Sequence, residues 1–261
     1  MKLVHINNLP VYKFNHFSTL NKITHFITTR KGGVSEGNCS SLNLGYNTND
    51  SHQNVQKNRE ILAKTFEITS FNFPQQTHKN HVQIVTKENH STFFEDTDAL
   101  ITNEPNLGIA VIFADCIPVL VYDPKKKVVA VVHAGWRGTV AKIVEKTIKK
   151  MVNVFDCDPK DILAGIGPSI SPEAYEVGKE VIDKVEKAFG TKKELIVNEQ
   201  SNGKGHLNLW YANKQCLLNA GLLEKNIEIA EICTQKNADT FFSVRSQTET
   251  GRFSMGAFIN S

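Results

Sequence analysis

A cysteine and a histidine lie at the ends of two neighbouring apolar segments, where they could hold a metal ion or act as a nucleophile and its base. Cys116 follows the apolar run 108–114, and His133 stands near the end of the run 128–134. Thiolate and imidazole are ligands for zinc, and the same two groups form the reactive pair of cysteine hydrolases. For either residue alone a buried structural role is the simplest interpretation, because free cysteines are usually buried. Polar groups at strand ends beside glycine turns, however, are typical of functional sites.

The turn between these two segments predicts how the cysteine and the histidine face each other. The sequence DPKK at 123–126 is typical of a turn that joins two strands. A two-residue loop in its middle would place Cys116 directly opposite His133, with Cβ atoms ~4.5–5.5 Å apart on one face of the hairpin. Pro124 favours a type I turn, which is not the preferred type for such a loop, and Pro118 is compatible with a bulge. The pairing depends on this register, since a shift by one residue would put the two side chains on opposite faces.

Hydrophobic periodicity predicts the elements that position these residues. We expect strands at 23–29, 108–114, 118–122, 128–134, 162–166, 227–233, 240–244 and 253–259, and helices at 53–66, 173–189 and 209–219. A further helix follows Thr139, which is a candidate N-cap, because apolar residues recur at helical spacing from Val140 to Met151. Hairpins that alternate with helices predict an α+β fold, in which stacked mixed β-sheets are flanked by helices in α/β/β/α layers. We expect one domain over residues 1–261.

Composition and charge argue against several classes of protein. The chain has 261 residues, with 30 Lys and Arg against 27 Asp and Glu, and its basic residues form no long stripe, so nucleic-acid binding is not expected. No stretch approaches the ~18 apolar residues of a membrane helix, and residues 1–17 lack the apolar run of a secretion signal, which predicts a cytoplasmic protein without a membrane partner. The five cysteines are odd in number and include no CxxC pair. We therefore expect core residues, ligands or nucleophiles, not disulfides.

Distinctive motifs are spread over nearly the whole chain. They are TTRKGGVSE (28–36), SSLNLG (40–45), QTH (76–78), ADCIP (114–118), HAGWRGT (133–139), GIGPSISPEAYEVG (165–178), FFSVR (241–245) and TGRF (250–253). With these motifs the chain resembles the bacterial multicopper-oxidase-like, or laccase-domain, family. Members of that family are also described as purine nucleoside phosphorylases with adenosine deaminase activity, and in some bacteria as peptidoglycan editing factors. The resemblance implies a purine nucleoside and phosphate as substrates.

The resemblance also implies a metal site at His78, Cys116 and His133. Two imidazoles and one thiolate leave a fourth tetrahedral position free, which is the arrangement of catalytic zinc. Copper is also compatible with such a soft site and would account for weak laccase-like oxidase activity. His81 lies three residues beyond His78, on the opposite face of an apparent strand, and is not expected to be a ligand.

Phosphorolysis and deamination require further groups around the metal. Arg30, Arg137 and Arg245 lie beside turns in the family motifs and are candidate contacts for phosphate or ribose, and Asn43 is a candidate hydrogen-bond partner of sugar or base. Asp115 is a candidate proton shuttle for deamination, with the orientation of a ligand histidine as an equally supported role. For each arginine the alternative is a surface ion pair of little energetic value.

Two other functions remain open at the level of the sequence. A metal-free cysteine hydrolase or amidase that acts on peptidoglycan precursors would use Cys116 as nucleophile and His133 as base. A partner-binding protein without catalytic activity would keep its cellular role after replacement of His78 by Ala. The sequence does not choose between adenosine, inosine and methylthioadenosine, and it does not show the oligomeric state.

Overall fold

The computed structural model of the protein describes residues 1–261 and contains fifteen strands, five α-helices and three short 3-10 helices. The strands are β1 (Lys2–Ile6), β2 (Leu9–Lys13), β3 (Ile23–Thr28), β4 (Phe71–Asn72), β5 (Val82–Ile84), β6 (Ala99–Thr102), β7 (Gly108–Phe113), β8 (Ile117–Asp123), β9 (Val128–Ala134), β10 (Leu163–Ile166), β11 (Glu176–Val177), β12 (Ile196–Val197), β13 (Gly205–Leu207), β14 (Ile227–Ile229) and β15 (Phe253–Ile259). The helices are α1 (His52–Thr65), α2 (Trp136–Val140), α3 (Ile143–Phe155), α4 (Lys179–Phe189) and α5 (Leu209–Asn219).

The strands form two six-stranded sheets and one small sheet. The first sheet has the order β1-β2-β3-β15-β7-β4, the second has the order β14-β10-β8-β9-β6-β5, and β11-β13-β12 form the small one. Most neighbours are antiparallel, but β4 with β7, β5 with β6, and β10 with β14 run parallel. The mixed sheets predicted from the sequence are therefore confirmed.

The two large sheets stack face to face, and helices cover their outer faces. Val111 and Met255 of the first sheet pack against Leu120 and Val131 of the second sheet in one buried cluster. On the far side of the second sheet, alternate residues such as Val132 pack against α3, α4 and α5. Helix α1 covers the far side of the first sheet. This arrangement confirms the α/β/β/α layers, and it explains the continuous apolar runs, because central strands are buried on both faces.

Several element boundaries differ from those predicted. Thr139 is not an N-cap but lies within α2, which begins after Gly135, and Lys142 in a left-handed conformation separates α2 from α3. The helix predicted from residue 173 begins only at Lys179, because residues 176–177 pair with β13. Residues 240–244 form turns and irregular backbone instead of a strand, and the strand predicted at 227–233 ends at Ile229.

No helix in the structure combines the length and the apolar character that crossing a membrane would require.

His25 is a buried histidine of β3 that is held neutral by its surroundings. Its Nε2 atom accepts a hydrogen bond of 2.9 Å from the backbone N–H of Phe14, and its ring packs against Phe14 and Phe17. Burial, together with the charge of Lys13, lowers the pKa of His25 to about 3. Below pH 6.5 the unfolded chain therefore binds a proton that the folded chain rejects.

We expect the protein to become less stable in acid through His25. Above pH 6.5 the ring is neutral in both the folded and the unfolded chain, and the stability is fully present. As the pH falls below this value, the free energy of unfolding decreases, by about 2 kcal/mol between pH 7.5 and pH 5, because only the unfolded chain takes up the proton. Replacement of His25 by Gln keeps an acceptor for Phe14 but removes the titrating ring, so the free energy of unfolding, measured by urea denaturation, should depend less on pH. Equal pH slopes for the two proteins would contradict this role of His25.

Candidate metal centre

A buried carboxylate, Asp98, holds the loop that carries His78. Three successive backbone N–H groups, of Thr77, His78 and Lys79, donate hydrogen bonds of 3.2, 3.0 and 2.9 Å to its two oxygens. Asp98 immediately precedes β6 and is fully shielded from solvent. His78 takes a positive φ of 62° in this loop, and the three hydrogen bonds stabilise that conformation.

The same carboxylate orients His133 in β9. The Nδ1 atom of His133 lies 2.7 Å from Asp98 Oδ1, and the His133 backbone N–H donates to the Asp98 carbonyl at 2.8 Å. An ionised carboxylate only accepts hydrogen bonds, so Nδ1 carries the proton and Nε2 is left as the ligand atom. Burial opposes ionisation of Asp98, but His133 and the backbone N–H groups outweigh it and hold the pKa of Asp98 below its usual value.

Cys116 lies in the bend where the chain leaves β7 of the first sheet and enters β8 of the second. The predicted register of the β8–β9 hairpin is wrong, because His133 is paired with Pro118 and not with Cys116. This shift of two residues keeps both side chains on the same face of the hairpin. Cys116 therefore still meets His133, from a position just outside the strand.

The loop of the hairpin explains the register. It comprises four residues, 124–127, and the Asp123 carboxylate accepts hydrogen bonds of 2.9 and 3.0 Å from the backbone N–H groups of Lys125 and Lys126. Proline fixes φ near −65°, whereas the favoured two-residue hairpin turns need a positive φ at their first central residue. Pro124 is incompatible with the shorter loop, and Lys127 takes the left-handed conformation that closes the longer one.

The structure brings the three predicted ligands together. One ligand atom each from His78, Cys116 and His133 lies within 4.8 Å of the others. In a tetrahedral zinc site with bonds of ~2.0–2.3 Å the donor atoms lie about 3.5 Å apart, so a small closure of the side chains is sufficient. A Cβ atom on Gly135 would lie 3.1 Å from both Cys116 Sγ and His78 Cδ2, and glycine keeps this space open. The donor types and the cradle both fit a metal ion.

The charges of the cluster favour a thiolate. Burial opposes ionisation of the Cys116 thiol, but His133 and His78 outweigh it and lower the pKa of Cys116 to about 6. Burial also disfavours a charged His133, yet Cys116 and Asp98 outweigh it and raise the pKa of His133 to about 9. Without a metal, Cys116 and His133 thus form a thiolate–imidazolium pair, and the thiolate is the form that binds a metal or attacks a carbonyl carbon.

The cluster opens into a pocket of about 180 Å³. Beyond the three ligands and their neighbours, the pocket is lined by Gly45, Asn47, Gln76, Ile112, Val244 and Arg252. The Gln76 amide binds the backbone N–H and carbonyl of Ile112 at 2.8 and 2.9 Å, which fixes one wall. Arg252 uses Nη1 to bind the carbonyls of Thr250 and Gly251, and burial lowers its pKa although the Cys116 thiolate opposes this shift.

Asp115 lies next to Cys116, and its carboxylate binds groups outside the cluster. Its carboxylate accepts hydrogen bonds from the Thr234 hydroxyl at 2.6 Å and from the Arg245 backbone N–H at 2.8 Å. The residue is buried and has a positive φ of 84°. The carboxylate that orients a ligand histidine is therefore Asp98, and Asp115 anchors the segment that carries Arg245.

Two of the predicted arginines do not line the pocket, although the charges of both lie near Tyr175. Arg245 stacks over the Tyr175 ring at 5.0 Å and donates to the Glu176 carbonyl, and Arg137 stacks over Trp136 at 4.4 Å. Arg137 is exposed and its guanidinium has no hydrogen bond within the chain. Both charges remain available to an anion.

Arg30 and Asn43 are not brought to the pocket. The Arg30 guanidinium binds the carbonyls of Ser40, Ala238 and Asn38. Asn43 is fully buried, and its amide binds backbone and side chains of residues 45–50 and the backbone N–H of residue 252. These two side chains stabilise loops around the pocket instead of lining it. His81 is exposed and lies outside the cluster.

The residues of the site that were not predicted from the sequence are Asp98, Gln76 and Arg252. Gln76 and Arg252 stand inside two of the motifs quoted above, so their position in a motif was an available signal. Asp98 belongs to no such motif. Only its place directly before a fully apolar strand segment marks it, which is the same pattern that marks His133 at the end of another.

Comparison with known proteins identifies a family and several relatives that resemble this chain. The family described as multi-copper polyphenol oxidoreductase laccase matches residues 24–260. A protein named purine nucleoside phosphorylase from Bacteroides thetaiotaomicron is 36% identical over 257 residues, 95% of this chain and 95% of that protein. A protein named adenosine deaminase from an unidentified prokaryote is 31% identical over 247 residues, 91% of this chain and 94% of that protein.

The fold is also shared with a solved structure. The crystal structure of a hypothetical protein from Bacillus licheniformis superposes with a TM-score of 0.89 at 31% identity, over 97% of this chain and 96% of that chain. The likeness therefore extends over nearly the whole chain.

Replacement of Asp98 by Asn should weaken zinc binding about 10- to 100-fold, because a neutral amide no longer stabilises the orientation of His133 and of the loop at His78. Competition with a chromophoric chelator measures the affinity, and circular dichroism reports whether the variant is folded. Glu95→Gln is the matched control, since Glu95 lies in the same segment but is exposed and its carboxylate binds no group of the protein. Equal zinc affinities of the folded Asp98→Asn variant and the control would contradict the role of Asp98.

Proposed function

This chain belongs to the multi-copper polyphenol oxidoreductase laccase family, and we propose that it is a metal-dependent purine nucleoside phosphorylase that also deaminates adenosine. The observation that carries the proposal is the cluster of His78, Cys116 and His133, held by one buried carboxylate and open to a pocket. Relatives named for these two activities support the substrate class. Weak laccase-like oxidation would accompany copper in the same site.

Zinc, or copper in its place, would be held by these three side chains and would supply a Lewis acid with an open coordination position. The protein's own contribution is orientation. Asp98 fixes the proton of His133 on Nδ1, which aims Nε2 into the cluster, and it holds the backbone of His78 in the conformation that directs its ring there.

Phosphorolysis joins a phosphate oxygen to the anomeric carbon of the ribose, breaks the bond from that carbon to the purine nitrogen, and leaves the base to take up a proton. Phosphate needs cationic donors close to the ribose. Arg252 lines the pocket and has Nη1 bound to two carbonyls, while its Nη2 and Nε donate to no group of the protein. We assign phosphate to Arg252 with Arg137 and Arg245, and we retain Asp115 as the candidate proton shuttle for deamination.

The proposed activity is tested with inosine and phosphate by following the release of hypoxanthine. Wild-type protein loaded with zinc should release the base, and His133→Ala should lower the rate by about a thousandfold, which corresponds to about 4 kcal/mol of lost transition-state stabilisation. His81→Ala is the matched control, because His81 is an exposed histidine of the same region outside the cluster. No release by wild type at enzyme concentrations far above trace contamination would refute the phosphorylase.

A cysteine hydrolase is favoured by one specific observation. Cys116, His133 and Asp98 form a row of nucleophile, base and orienting carboxylate, in which the His133–Asp98 distance is 2.7 Å. In that case Cys116 would attack an amide of a peptidoglycan precursor and His133 would protonate the leaving amine.

The two functions differ in what inactivates the protein. For the phosphorylase we expect about one zinc or copper per chain by elemental analysis, and stoichiometric metal should protect Cys116 from iodoacetamide. A purified protein without metal that hydrolyses an amide substrate, and loses this activity on alkylation of Cys116, would favour the hydrolase. The expected small-molecule substrates, the absence of nucleic-acid and membrane partners and the cytoplasmic location stay predictions.

A further inference from the structure

A second pocket adjoins the candidate metal centre and has a different chemical character. It has a volume of about 220 Å³ and shares Asn47, Gln76 and Ile112 with the first pocket. Three aromatic side chains, Tyr46, Phe73 and Phe93, and one cation, Arg59, complete most of its wall. Phe93 is 64% exposed, which is unusual for a phenylalanine and leaves one face of its ring free for a ligand.

Arg59 is a half-buried cation without a carboxylate partner. It projects from α1 and forms no salt bridge, and burial lowers its pKa to about 10, so it is still charged at neutral pH. Its guanidinium carbon lies 4.4 Å from the centroid of the Tyr46 ring and 4.1 Å from that of the Phe73 ring. Both rings therefore pack against the guanidinium at cation–π distance.

One of the two bidentate edges of Arg59 is already used and the other is free. Nε and Nη2 both donate to the Leu44 carbonyl, at 3.0 and 2.8 Å. These two atoms form one edge of the guanidinium, and the opposite edge, formed by Nη1 and the second proton of Nη2, donates to no group of the protein. A free edge of this kind binds two acceptors that lie in one plane.

We infer that this second pocket binds the purine base of the substrate and that Arg59 selects 6-oxopurines over 6-aminopurines. A 6-oxopurine presents its O6 and N7 atoms as adjacent in-plane acceptors, which is the pattern that arginine reads on guanine. Adenine presents N7 beside an amino group, so one donor of Arg59 would face another donor. The aromatic walls suit a flat heterocycle better than a phosphate ion, which needs a polar lining.

This inference rests on the proposed function for its class of ligand. Because the two pockets adjoin at Asn47, Gln76 and Ile112, we place the ribose near the metal centre and the base, on the far side of these three residues, between Phe93 and Arg59. Arg59 would then be a specificity-determining residue for phosphorolysis. Deamination of adenosine would require a different orientation of the base.

The test compares binding of the free bases hypoxanthine and adenine by titration calorimetry, which needs no turnover. Wild type should bind hypoxanthine about tenfold more tightly than adenine, and Arg59→Lys, which keeps the charge but loses the planar edge, should bring the ratio close to one. The ratio does not depend on the fraction of folded protein, so partial misfolding of the variant cannot produce this result. An unchanged ratio in Arg59→Lys, or no preference in wild type, would overturn the inference.

A second variant separates stacking from edge recognition. Phe93→Ala should weaken the binding of hypoxanthine and of adenine by about fivefold or more, and the ratio of the two affinities should stay unchanged. Leu3→Ala is its matched control, because Leu3 is also an exposed apolar side chain and lies outside the pocket. If Phe93→Ala binds both bases with the affinity of wild type, the second pocket is not the base site.

The outcome also distinguishes this inference from the proposed function. Selective binding of hypoxanthine without phosphorolysis of any nucleoside would refute the phosphorylase and keep the base site. If inosine and adenosine are phosphorolysed with equal kcat/KM by wild type, and also by Arg59→Lys, the phosphorylase is kept and the base site is refuted.

Discussion

The candidate site depends on one buried carboxylate. An ionised Asp98 without partners would cost several kcal/mol inside the protein, and four donors, three backbone amides and one imidazole, remove this cost. Each donor belongs to a segment that carries a ligand. The requirement to satisfy a single buried charge therefore links the loop at His78 to strand β9, and loss of either contact would leave part of that charge uncompensated.

The two-sheet architecture positions the third candidate ligand. Cys116 lies where the chain passes from one sheet to the other, and the conformation there is fixed on both sides, by the hydrogen bonds of Asp115 and by the start of β8. Gly135 faces this bend and provides the room in which the sulfur and the imidazole of His78 meet. Stacked sheets are stiff because their cores are close-packed, so ligands placed at such a crossing keep their separation.

The sequence predicted elements better than contacts. The strands 128–134 and 253–259 and the helix 209–219 were predicted with their observed limits, because long apolar runs and a following glycine mark them. The register of the β8–β9 hairpin was not predicted correctly, because it is determined by the side chain of Asp123 and the ring of Pro124 and not by periodicity. Cys116 and His133 were found from their place at strand ends, whereas His78 came from the resemblance alone.

Other residues of the two pockets could not be predicted from the sequence because their contacts are tertiary. Asp98, Arg59 and Phe73 are separated by many residues from the groups they contact, and only the tertiary fold brings them together. Conversely, Arg30 and Asn43 lie in distinctive motifs but are used to tie loops, which shows that a motif can mark a structural requirement as well as a binding group.

The orientation of both histidines by a protein carboxylate bears on how the ion would be acquired. Zinc fingers fold only when the metal arrives, because nothing else arranges their ligands. Here protein contacts arrange the donors, so metallation would follow folding, and removal of the ion by a chelator would leave the sheets intact. Such a site discriminates weakly between soft divalent ions, and its occupant in the cell would be decided by which metal is available there.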